Sequence, residues 1–98
     1  MNTTNKSSPY SARHSLRPIH FFCQAPRAKC VQIAGDFNRW APVRMQRRFD
    51  GWWHCEALLC HGHHQYRFLV DGKAFLDPAA MGTSRDSDGE PVSLIAVS

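Results

Sequence analysis

Val31-Gln32-Ile33-Ala34-Gly35-Asp36-Phe37-Asn38-Arg39-Trp40 and, further along, His64-Gln65-Tyr66-Arg67-Phe68-Leu69-Val70-Asp71-Gly72 carry the clearest folding signal in this chain. Each is a short run of β-branched and aromatic residues that ends in turn formers, the mark of a strand rather than a helix. In the second, Tyr66, Phe68 and Val70 fall at a period of two, which sets them on one buried face. Asp71-Gly72 supplies the two positive φ values of a tight two-residue hairpin turn and leads into a further strand over 73–76. In the first, a Gly-Asp-Phe-Asn turn follows the strand and leaves Trp40 beyond its end.

Working outward, similar runs occupy 19–23, 51–59 and 92–97, separated by breakers such as Ala25-Pro26, Ala41-Pro42 and Asp77-Pro78. No window carries helical periodicity of useful length. Six or seven strands at about ten-residue spacing predict an all-β fold, a β-sandwich. Residues 53–70 read as a hairpin, with Trp53, Cys55 and Ala57 facing the core opposite Tyr66, Phe68 and Val70. That register leaves Trp52, His54 and Glu56 outward and sets Glu56 across from Arg67.

The chain has 98 residues, enough for one small core. Residues 1–17 are rich in Ser, Thr, Asn and basic residues with few apolar anchors and predict a flexible tail; residues 18–98 predict the folded domain. A mean hydropathy of -0.43 and the absence of a long apolar run exclude a transmembrane span. The N-terminus lacks the apolar stretch of a secretory signal, so Cys23, Cys30, Cys55 and Cys60 are expected reduced in a cytoplasm. The formal charge is +4, but Lys6, Arg13 and Arg17 supply three positive charges with no acidic residue among the first seventeen, which leaves 18–98 near +1. An anionic partner is therefore not indicated.

Catalysis finds poor material. No serine lies in a G-x-S-x-G elbow, and Asp36, Asp50, Asp71 and Asp77 all fall in turns, so no enzyme and no cofactor are expected. His54, Cys55, Cys60, His61, His63 and His64 concentrate metal-ligand types at one hairpin end, yet their spacing matches no structural zinc pattern. Arg44, Arg47 and Arg48 share a loop, but three arginines without a recognised motif read as a solvated surface rather than a nucleic-acid interface. Trp40 is different. Sugars present flat C–H faces rimmed by hydroxyls and are held by an aromatic plate beside hydrogen-bonding side chains, and Trp40 with Asn38, Arg67 and Lys73 supplies those types.

The order of Phe21, Ala25-Pro26, Val31-x-Ile33-Ala34-Gly35-Asp36-Phe37-Asn38-x-Trp40, Asp50-Gly51-x-Trp53, His64-Gln65-Tyr66-Arg67-Phe68-x-Val70-Asp71-Gly72 and Asp77-Pro78 resembles carbohydrate-binding module family 48. That family includes the glycogen-binding domain of the AMP-activated protein kinase β subunit and the early-set domains of isoamylase and branching enzymes. The resemblance runs from about Pro18 to Val97. It implies an immunoglobulin-like early-set β-sandwich that binds α-1,4-linked glucan, glycogen or starch, without chemistry of its own. It also implies that Trp40 is a sugar-stacking plate and Arg67 the basic residue, usually lysine, that hydrogen-bonds the glucan. Where the family has its second tryptophan, its clamp leucine and its asparagine, this sequence has Ala74, Asp88 and Val92, so those contacts are not matched. The expected ligand site is Trp40, Arg67, Lys73 and Asn38, with an α-glucan such as glycogen or a maltooligosaccharide as partner and neither nucleic acid nor membrane. The alternative is a protein-interaction or regulatory module that keeps the fold and has lost strong sugar binding.

Overall fold

The computed structural model describes residues 15–98. The expected tail lies outside the described residues for positions 1–14, and the first described strand begins at Arg17. Among the described residues nine strands follow one another: β1 (Arg17–Gln24), β2 (Val31–Gly35), β3 (Val43–Arg44), β4 (Gln46–Arg47), β5 (Trp52–Leu59), β6 (Gly62–Val70), β7 (Lys73–Phe75), β8 (Gly82–Arg85) and β9 (Pro91–Val97). They form two antiparallel sheets packed face to face, the expected all-β, immunoglobulin-like early-set sandwich. One sheet runs β3-β2-β6-β9-β8, with β7 also paired to β6; the other runs β1-β5-β4.

Side-chain alternation explains the layers. Phe21 and Cys23 of β1 and Trp53 of β5 point inward from the small sheet, and Val31, Ile33, Tyr66 and Phe68 point inward from the large one. Tyr66 meets Phe21 edge-on at 4.8 Å and Phe68 at 5.9 Å between ring centroids. Each such fully buried aromatic contributes about 1.5–3 kcal/mol relative to exposure. Tyr66 keeps a polar tip in this core: its hydroxyl donates to Asp77 Oδ2 at 2.7 Å. Burial, and then that bond to Asp77, push the phenol well above its ordinary pKa. Met45, 1% exposed, is the point where the chain crosses from β3 in the large sheet to β4 in the small one.

The expected hairpin over 53–70 does not form. β5 pairs along its whole length with β1 and also with β4, while β6 pairs with β2 on one edge and with β7 and β9 on the other. Both edges of each strand are therefore taken, and the inward faces of β5 and β6 meet across the sandwich instead of side by side. Alternation identifies the inward face correctly in either arrangement, because it is blind to whether the neighbour lies in the same sheet or the facing one. One consequence is that Glu56 does not oppose Arg67. It lies across from His20, with Oε2 3.6 Å from His20 Nε2.

The turn between β6 and β7 is as expected. Asp71 at φ 50° and Gly72 at φ 86° join Val70 to its cross-strand partner Lys73. The Asp71 carboxylate adds a long-range tie by accepting the backbone N–H groups of Lys29 and Cys30, each at 2.9 Å.

Candidate functional site

Strand β2 ends at Gly35, and a 3-10 turn over Asp36–Asn38 sends the chain across the outer face of the large sheet. Asp36 fastens this turn to β6. Its Oδ2 accepts the backbone N–H of Gln65 at 3.0 Å, and its Oδ1 lies 3.0 Å from Nδ1 of His64. Asn38 braces the turn from within: Oδ1 accepts the Gly35 N–H at 2.9 Å and Nδ2 donates to the Ile33 carbonyl at 3.4 Å. The Trp40 N–H then closes the turn by donating to the Gly35 carbonyl at 2.8 Å.

Arg39 and Trp40 both hold positive φ, 59° and 60°. Bulky residues rarely adopt this conformation, and each instance costs on the order of 1–3 kcal/mol unless the surroundings enforce it. Here the bonds at Gly35 and Asn38 enforce it, and the outcome is the position of the Trp40 ring. The half-buried indole lies over Arg67, whose guanidinium carbon is 5.0 Å from the ring centroid. Arg67 in turn donates from Nη2 to Asp86 Oδ2 at 2.7 Å, and these two side chains are only 19% and 12% exposed. The N–H of Glu90, followed by the Arg67 guanidinium and the N–H of Asp88, holds the Asp86 carboxyl below the usual carboxylate range against a smaller opposing effect of burial. An arginine fixed between a carboxylate and an indole face loses little further freedom when its remaining N–H groups meet a ligand.

Register decides which residues share this face. Ala34 is the cross-strand partner of Arg67, and Ala74 partners Leu69 on the same side of the sheet. Lys73 partners Val70 and Phe75 partners Phe68, so both take the opposite parity. Val92 precedes Ser93, the partner of Tyr66, and therefore falls beside Arg67 as a fully buried apolar residue. Of the four residues expected at the site, the structure thus brings Trp40 and Arg67 together. Asn38 lies beneath them with its amide engaged in the turn, and Lys73 is exposed but starts from the other face. Asp86 is the site residue that sequence reasoning missed. Asp86-Ser87-Asp88-Gly89 reads as a turn, and nothing local in it points to an arginine nineteen residues earlier.

Trp52 offers no substitute plate here, because it belongs to the small sheet. It lies edge-on to Phe22 at 6.5 Å between ring centroids and lines an open groove of about 770 Å³ with Phe22, Phe49, Phe75 and Pro78. Arg47 is structural as well: its guanidinium carbon is 5.1 Å from the Trp53 ring centroid, and Nη2 donates to the Ala28 carbonyl at 2.9 Å. Among the described residues, no three His, Cys, Asp or Glu side chains converge on a metal-sized site.

A family model described as the glycogen recognition site of AMP-activated protein kinase matches residues 19–98. No curated protein matches the chain. Among solved structures, a Salmonella typhimurium protein described as an alpha amylase is similar, with a TM-score of 0.66 at 20% identity over 86% of this chain. That likeness concerns the fold alone, and the chain spans 15% of that protein's length.

Proposed function

The chain belongs to the glycogen recognition family of AMP-activated protein kinase, and from that premise we propose that it binds α-1,4-linked glucan, glycogen or starch, as a module without chemistry of its own. The observation that carries this reading is the Trp40–Arg67 pair on the outer face of the large sheet. A glucose ring stacks its C–H face on the indole, and the N–H groups of Arg67 left over from Asp86 donate to its hydroxyls. Asn38 serves the site by holding the turn. Lys73 contributes only by reaching round the end of β6.

Binding on one plate is weak. Stacking in comparable sites contributes about 1–3 kcal/mol per aromatic, so the absence of a second tryptophan at Ala74 corresponds to roughly one to two orders of magnitude in affinity. In native affinity electrophoresis the wild-type protein is expected to be retarded by glycogen, and Trp40→Ala is expected to abolish the retardation while leaving the melting curve cooperative. A wild type that runs unretarded at every glycogen concentration overturns the reading. No described helix is long and apolar enough to cross a membrane, and a cytoplasmic setting is supported by the four unpaired cysteines.

A second reading, a protein-interaction module, is favoured by the aromatic groove between the small sheet and β7 of the large one, where Phe22, Phe49 and Phe75 are 52%, 82% and 45% exposed. It predicts unchanged tryptophan fluorescence on adding maltoheptaose, together with a stoichiometric partner recovered with the protein.

A further inference from the structure

His64 is 8% exposed, and both of its ring nitrogens face acceptors. Nδ1 lies 3.0 Å from Asp36 Oδ1 and Nε2 lies 2.9 Å from the Cys60 carbonyl oxygen. A carboxylate and a carbonyl oxygen have no proton to give, and a neutral imidazole has only one N–H. The two contacts are both hydrogen bonds only when the ring carries two protons. The structure therefore fits His64 as an imidazolium, donating from both nitrogens, with Asp36 as its counter-charge.

Asp36 is also what fastens the 3-10 turn to β6, and that turn fixes Trp40 over Arg67. The Phe37 ring seals the arrangement, packing edge-on to His64 at 6.2 Å and stacking on Phe21 at 5.6 Å between centroids. We infer that His64 is the positioning residue of the Trp40 turn: protonated, it holds Asp36 and the turn in the glucan-binding geometry, and deprotonated, it releases one of its two bonds and loosens the turn. This inference rests on the glucan-binding reading and adds a pH response to it. Neighbouring titratable side chains along the chain are Cys60 and His61 in the β5–β6 turn and His63 on the opposite face of β6, while β9 pairs Ile95 with His64 and Phe37 packs on its ring, neither of which titrates.

The sign is fixed by the donor count. Glucan affinity is highest where the ring carries both protons, the acid side, and falls where it carries one. Loss of one charge-assisted bond at the anchor corresponds to about a tenfold fall in affinity. The test uses the 98-residue chain between about pH 5 and about pH 8, the interval in which imidazoles change charge. Glycogen affinity is measured for wild type and for His64→Gln, and the ¹⁵N signals of the His64 ring and the Trp40 indole are followed without sugar. The expected result is a pH-dependent wild type, a weaker and pH-independent His64→Gln, and a Trp40 indole signal that moves with the His64 midpoint. A Trp40 signal indifferent to His64 protonation overturns the inference, as does a His64→Gln that keeps the wild-type pH profile. If His64→Gln does not fold, the wild-type signals decide alone. Absence of glycogen binding at every pH overturns the glucan reading instead, and the sugar-free signals still decide the positioning role.

Discussion

Ala74 stands on the same side of the sheet as Arg67, since its cross-strand partner Leu69 is two residues along β6 and alternation returns to the same face after two. It is exposed, so a larger side chain there meets solvent rather than core. Ala74→Trp accordingly adds a second stacking plate, and glycogen affinity should rise by roughly ten- to a hundredfold in a titration followed by calorimetry, with little change in melting temperature. An unchanged affinity would place the glucan elsewhere. Gly35 shows the opposite constraint. A Cβ there would stand 2.5 Å from Phe37 Cε2 and 2.8 Å from the Gln65 carbonyl, so only glycine lets the turn lie this close to β6.

At the scale of the element, the β6–β7 hairpin and the β5–β6 connection contrast. The first is set by two residues whose backbone preferences permit one tight turn. Gly72→Ala places a side chain at φ 86° and should destabilise the protein by about 1–2 kcal/mol, read as a lower midpoint in urea with an unchanged slope. The second has no such local device: Cys60 and His61 join strands that belong to different sheets. The alternation in β5 and β6 identifies the inward residues, but the partner of each edge depends on which other strands arrive there. Strands β3 and β4, each two residues long, and β8 are similarly set by pairing and by the burial of Met45 rather than by any run of their own.

At the scale of the whole molecule, closing the sandwich changes the chemistry of the thiols it encloses. Burial pushes Cys55 up to about 11 and, with a smaller contribution from the Asp77 charge, does the same to Cys23. Both stay protonated at neutral pH, whereas Cys60 is exposed. Limited alkylation of the native protein followed by mass spectrometry should mark Cys60 before Cys23 and Cys55, and denaturant should remove the difference. Because the folded-state values are raised, the stability they confer is complete below 9.0 and is lost as pH climbs through about 11, so the thermal midpoint should fall over that interval. Taken alone, the sequence determined the all-β sandwich, its inward faces, the Asp71-Gly72 turn and the placing of Trp40 beyond the end of β2. These follow from period-two alternation and turn chemistry, which act between near neighbours. Long-range packing pairs Arg67 with Asp86 rather than Glu56, starts Lys73 from the far face and puts Trp52 in the other sheet. Those outcomes depend on which strand edges meet, and edge pairing is settled by the whole core at once rather than by any local stretch.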